Sequence, residues 1–177
     1  NNMSSSELAA MDILTTGTIT ATISDGGLDA LASLTNVNTN NALTIVVADA
    51  AATAVELNTL NDMPSLNVTA SAVEAIESSA VSAVKTLITN ATAAGIDTDY
   101  TVTLSDESIA ATDITTVDTH TSGLVTVNAT TITGDHADIT TAISSAGTAI
   151  SGSIAVTSGN NMSSSELAAM DILTTGT

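Results

Sequence analysis

Cysteine, phenylalanine and tryptophan are absent from this 177-residue chain, arginine is absent too, and Tyr100 is the only aromatic residue. Each absence excludes something. Without cysteine there are neither disulfides nor thiol chemistry, and redox state says nothing about compartment. Lys85 is the only basic residue, against nineteen acids and a net charge of −18. Neutralising phosphates takes Lys or Arg, so nucleic acid is excluded as a partner. Anionic membrane surfaces would repel the chain for the same reason. Membrane insertion is not expected either, because no apolar run reaches the roughly 18–20 residues of a span. A core without aromatic rings must be built in thin layers from Ala, Val, Ile and Leu. Hydrophobic residues still make up 44% of the chain, enough for it to fold.

What is present is repetition. The segment NNMSSSELAAMDILTTGT opens the chain and returns unchanged from Asn160 to Thr177, 159 residues on. We read this as one full period of a tandem array plus the opening of the next, with the chain ends as cuts. Inside the period, Ser4–Met11, Thr53–Leu60 and Ala111–Val117 look like one helical element in three copies. In each, an acid precedes an apolar pair at i, i+3, which shares a helix face. Ser4 with Glu7 and Thr53 with Glu56 have capping-box spacing, while Ala110 stands where the third cap belongs. The markers Glu7, Glu56, Asp113 and Glu166 lie 49, 57 and 53 residues apart. Three degenerate subrepeats follow: residues 1–49, 50–106 and 107–159, with 160–177 starting the next period.

Each subrepeat reads as two strands and two helices. Thr18–Ile23, Leu66–Thr69 and Val125–Ala129 alternate apolar and small polar residues, the pattern of a half-buried strand. Second strands are predicted at Thr44–Asp49, Thr101–Asp106 and Ser153–Thr157. Second helices are predicted from Leu28, Leu31 and Leu34, from Val73, Ile76, Val84, Leu87 and Ile88, and from Ile139 and Ile143. Alternating short strands and helices call for parallel pairing, each helix being the crossover. The expected fold is therefore an α/β repeat solenoid with about 26 residues per strand–helix unit, six units to a period. Whether one or two such units complete a coil stays open.

The phrases ATAVELNTLNDM, LVTVNATTITGDHADITTAI and TSGLVTVNA resemble degenerate repeats of giant secreted cell-surface proteins of marine bacteria, of the picocyanobacterial type. The resemblance covers most of the chain and implies an extracellular or cell-surface location. It does not bring calcium with it, because the glycine-rich nonapeptides of calcium-binding adhesin modules are missing. An acidic pI of 4.1 suits salty water, where screening weakens self-repulsion.

Few residues invite chemistry. Asp97 and Asp99, and the adjacent Asp106 and Glu107, are candidate oxygen ligands for Ca²⁺, although no EF-hand spacing surrounds them. The plain alternative is a solvated loop for the first pair. For Asp25, Asp49, Asp106 and Glu107 it is the preference of helix N-termini for acids. Asp135 is expected to cap the helix after Gly134, leaving His136 exposed, and His120 falls near a helix end. With two histidines and no nucleophile elbow, phosphate loop or HExxH, catalysis is not expected. Asn2, Asn67, Asn90 and Asn128 match the N-glycosylation pattern, and Lys85 offers one isopeptide link per period.

Three functions fit this reading. The first is a structural filament, surface layer or matrix scaffold that grows by self-association of further copies of the repeat. The second is an adhesin stalk of β-sandwich repeats with calcium-rigidified junctions. The third is ice or carbohydrate binding by a threonine-rich strand face, to which Thr18, Thr20 and Thr22, and Thr101 and Thr103, would contribute.

Overall fold

The computed structural model describes residues 2–63, 66–151 and 154–174. It is a mixed α/β fold with seven helices and three parallel sheets among those residues. The first third of the chain runs β1 (Asn2–Met3), α1 (Ser5–Asp12), β2 (Thr20–Ile23), α2 (Leu28–Leu31), a 3-10 turn (Ala32–Asn36) and β3 (Ala42–Val46). Next come β4 (Ala51–Thr53), α3 (Ala54–Asn61), β5 (Leu66–Thr69), β6 (Ala75–Ser79) and α4 (Val81–Ala94). They are followed by β7 (Thr101–Leu104), β8 (Ser108–Ala110), α5 (Ala111–Asp118), β9 (Val125–Val127) and β10 (Thr131–Gly134). The chain closes with α6 (His136–Ser144), β11 (Thr148–Ile150), β12 (Ala155–Ser158) and α7 (Ser164–Thr174). Contacts divide it into two compact units, residues 1–75 with 86–97 and residues 76–85 with 98–177.

In the first unit the sheet order is β1-β2-β3-β5. Thr22 pairs with Asn2 on one side and with Thr44 on the other, and Ile45 pairs with Val68. Paired residues are thus 20, 22 and 23 positions apart along the chain. Alternation then stacks Ile23, Ile45 and Val68 in one buried row. The second unit repeats the device. Val102, Val125 and Thr148 are register partners, as are Ile109, Ile132 and Val156, at steps of 23 or 24. These strands therefore pair in parallel with strands 20 to 24 residues further on, and the core is a set of largely aliphatic rows.

The helices that open the three subrepeats, α1, α3 and α5, are each eight residues long. Both capping boxes form: Ser4 with Glu7 and Thr53 with Glu56 satisfy each other's backbone N–H groups. Ala110 occupies the third N-cap and offers no side-chain bond. Positions one, four and seven face inward, giving Ala54, Leu57 and Leu60 in α3 and Ala111, Ile114 and Val117 in α5. Thr53→Ala is expected to destabilise the chain by about 1 kcal/mol, seen as a lower urea midpoint, because it removes the acceptor for the Glu56 N–H.

The parallel sheets differ from the antiparallel pairing that a β-sandwich stalk would show. Other expectations shift in detail. The strand expected at Thr44–Asp49 is β3, Ala42–Val46, and Asp49 lies beyond it. The helix of the second subrepeat holds Val84, Leu87 and Ile88, but Ile76 belongs to β6 and Val73 precedes it. Spacing of i, i+3 fits a helix; here the Ala50 carbonyl takes the N–H groups of Glu74 and Ala75 and turns the segment into a strand. The last expected strand survives as β12, while Ser153 lies outside the described residues. Six helices precede α7, but the strands outnumber the six expected. Short strands of three to five residues, β4, β6, β8 and β10, lead straight or almost straight into helices. Such pieces carry too few alternations to be read from the sequence.

Candidate functional site

Polar chemistry concentrates where strands end and helices begin, and three of the acids there cap helices that began 20 to 25 residues earlier. The N–H of Ser5, the first residue of α1, donates to both carboxylate oxygens of Asp25 at 2.9 Å, and the Ser5 hydroxyl donates at 2.7 Å. Leu28 opens α2 and donates its N–H to Asp49 Oδ2 at 2.8 Å. Val81 opens α4 and donates to Asp106 Oδ2 at 2.6 Å. His136 opens α6 and donates to Asn160 Oδ1 at 3.3 Å. In all four the acceptor follows its donor by 20 to 25 residues. Helix N-termini do attract these acids, as expected; the structure adds that the helix served is the preceding one rather than the next. Each bond thus ties together segments 20 to 25 residues apart.

The opposite end of α1 is held in the same way. Asp12 accepts from the Asn41 side chain at 2.9 Å and from the Asn38 N–H at 3.0 Å. Buried Asn41 in turn accepts the N–H of Ile19 at 3.0 Å. In the second unit Asp118 accepts the Ser145 hydroxyl at 2.7 Å. Sequence reasoning missed these pairs, since Asn41 and Ser145 carry no local signal.

These bonds set the acidity of the carboxylates. Burial pushes the Asp25 carboxyl up, but the hydrogen bonds from Ser5 outweigh it and leave the group below the ordinary range. Asp12 is lowered chiefly by the Asn41 amide, Glu7 by the Ser4 N–H and hydroxyl. Glu166 is lowered by the same contacts from Ser163, with a smaller contribution from His136.

The candidate calcium ligands fall out separately. Asp97 and Asp99 are exposed and belong to different units. Asp106 is engaged as the cap of α4, and its neighbour Glu107 is exposed. The backbone carbonyl of Glu107 accepts the N–H groups of Thr130 and Thr131 and the Thr130 hydroxyl. Among the described residues no group of three or more His, Asp or Glu side chains is arranged to hold a metal ion.

Asp135 occupies the N-cap of α6 without a side-chain bond, and His136 is half-buried rather than exposed. Its Nδ1 lies 3.6 Å from Glu166 Oε1, so α7 covers part of the ring. His120 is exposed beyond α5. Lys85 Nζ lies 2.6 Å from Asp113 Oδ1, a pair exposed enough to be worth about 1 kcal/mol at most. Among the glycosylation matches, Asn2, Asn67 and Asn128 are exposed and Asn90 is half-buried. Threonine rows are short. Thr22 pairs with Thr44 and then Asn67, and Thr103 pairs with Thr126 and then Ala149.

An open cleft of about 240 Å³ lies between α2 and α3, lined by Leu28, Ala32, Val55 and Leu60 with Asp29 and Glu56. The Thr59 hydroxyl on its wall donates to the Val55 carbonyl at 2.8 Å, and Glu56 is engaged by Thr53. No protein-family model, curated protein or solved structure matches the chain.

Proposed function

We propose that this chain is the structural repeat of an extracellular filament, surface layer or matrix scaffold, built as a solenoid and growing by addition of further copies. One observation carries the reading: strand partners recur 20 to 24 residues apart through in-register parallel rows. Such a chain buries its apolar rows only against its own next turn, so cohesion accumulates along one axis. The carboxylate caps reinforce that axis, which gives the acids a mechanical role. No described helix is long and apolar enough to cross a membrane. The extracellular location rests on the acidic composition and on the resemblance to secreted repeats.

Cryo-electron microscopy of the native assembly tests this directly. The averaged power spectrum should hold a meridional signal near 4.8 Å and an axial repeat of roughly 29 Å, six strand steps. Beads about 40 Å or more apart without that signal would instead indicate separate domains on a string.

A charge of −18 per chain opposes lateral bundling, and divalent cations relieve it. Millimolar Ca²⁺ is expected to raise the melting temperature and promote association, with reversal by chelator. Indifference to both would remove calcium from this picture and leave the filament reading in place.

A further inference from the structure

The two copies of SSELAAM, residues 5–11 and 164–170, have one sequence but bury different positions. In α1, Ser5 is buried and Leu8 is fully buried, while Met11 is 44% exposed. In α7, the equivalent Ser164 is exposed, Leu167 is 58% exposed and Met170 is buried at 3%. These are helix positions one, four and seven, and the corresponding side chains of α3 and α5 are all buried. Each copy therefore has the part of the inward stripe that the other lacks. Together they make one interior helix.

We propose that the open face of α7 is a docking surface for a second copy of this period, with α7 taking the place that α1 holds against α2 and the 3-10 turn that follows it. The proposal rests on the filament reading above and names its junction. The template lies within the chain. Leu167 would sit where Leu8 sits, under the turn carrying Leu31 and Leu34, both buried in the α1 setting. Ser164 would donate to the second copy's Asp25 as Ser5 does. Asp171 would receive its Asn38 and Asn41 as Asp12 does. The strand agrees: Asn2 and Met3 form β1 by pairing with Thr22 and Ile23, whereas the identical Asn161 and Met162 are not in a strand.

The test compares the 177-residue chain with a two-period chain in which residues 19–177 follow Thr177. In the unmutated two-period chain, amide exchange at Ser164 and Leu167 should slow by about 100-fold, followed by NMR with residues 160–177 segmentally labelled. Leu167→Asp should alter the folding equilibrium of the single-period chain by less than about threefold, and that of the two-period chain by at least about 100-fold, like Leu8→Asp in either. Unchanged exchange at Ser164, with Leu167→Asp equally mild in both chains, would overturn the junction while leaving the repeat reading intact. A mild Leu8→Asp in the single-period chain would overturn both, because packing between successive turns would then not hold the fold.

Discussion

Replacing Gly123 with alanine should lower the stability of this chain by about 2–3 kcal/mol, the cost of forcing atoms into a filled site. A Cβ at residue 123 would lie 2.2 Å from the Tyr100 carbonyl oxygen, 2.6 Å from its carbon and 2.7 Å from the Asp99 oxygen. All three atoms are backbone, so no rotamer change makes room. The surrounding bonds fix the approach. Thr121 donates its hydroxyl to the Tyr100 carbonyl, Ser122 donates its N–H to Thr98 at 2.7 Å, and Val102 donates to Leu124 at 2.9 Å. Gly123 donates to Thr121 Oγ1 at 3.0 Å, closing the lattice. Tyr100 is buried and is the sole aromatic residue, so its emission reports unfolding at this spot. Gly17→Ala is the control. Its nearest neighbour is the Thr15 hydroxyl at 3.2 Å, a side-chain atom that need give only a few tenths of an ångström, and the change should stay within about 0.5 kcal/mol. Equal urea midpoints for the two variants would mean that segments 98–102 and 121–124 do not approach so closely.

The second large effect concerns Asp25. Asp25→Ala should cost about 2 kcal/mol at neutral pH, because it strips charge-assisted bonds from a buried N–H and a buried hydroxyl. The loss should depend on pH. Folding lowers the Asp25 carboxyl below its ordinary range, so its stabilisation is complete above the unfolded value of about 3.9 and fades as pH falls through the folded value. Acid also relieves the repulsion of eighteen net negative charges, which acts in the opposite direction and is common to both proteins. The difference between wild type and variant isolates the residue: the two curves of stability against pH should converge below about pH 4. Parallel curves from pH 7 to 3 would show that the carboxylate does not hold α1.

Much of this architecture was legible in the order of residues. Capping boxes at Ser4 and Thr53, and the alternation in Leu66–Thr69 and Thr101–Leu104, are local signals, and each appears where it was read. Parallel pairing followed from the alternation of elements. The acids at strand ends were also visible, yet their targets were not. Asp25, Asp49 and Asp106 sit just before a helix or strand in the sequence, but they bond the helix that began 20 to 25 residues earlier. Nothing local points backward across such a distance.

The repeated segment separates the two kinds of information most sharply. Both copies form a helix, and both carry the capping bonds between the first serine and the glutamate, Ser4 with Glu7 and Ser163 with Glu166. That much is written in the residues themselves, since the bonds span three positions. Whether the leucine or the methionine of that helix is buried differs between the copies, and so does the strand ahead of it. Those outcomes depend on which segment lies alongside, because hydrophobic burial and strand pairing both need a neighbour that the repeated stretch cannot supply.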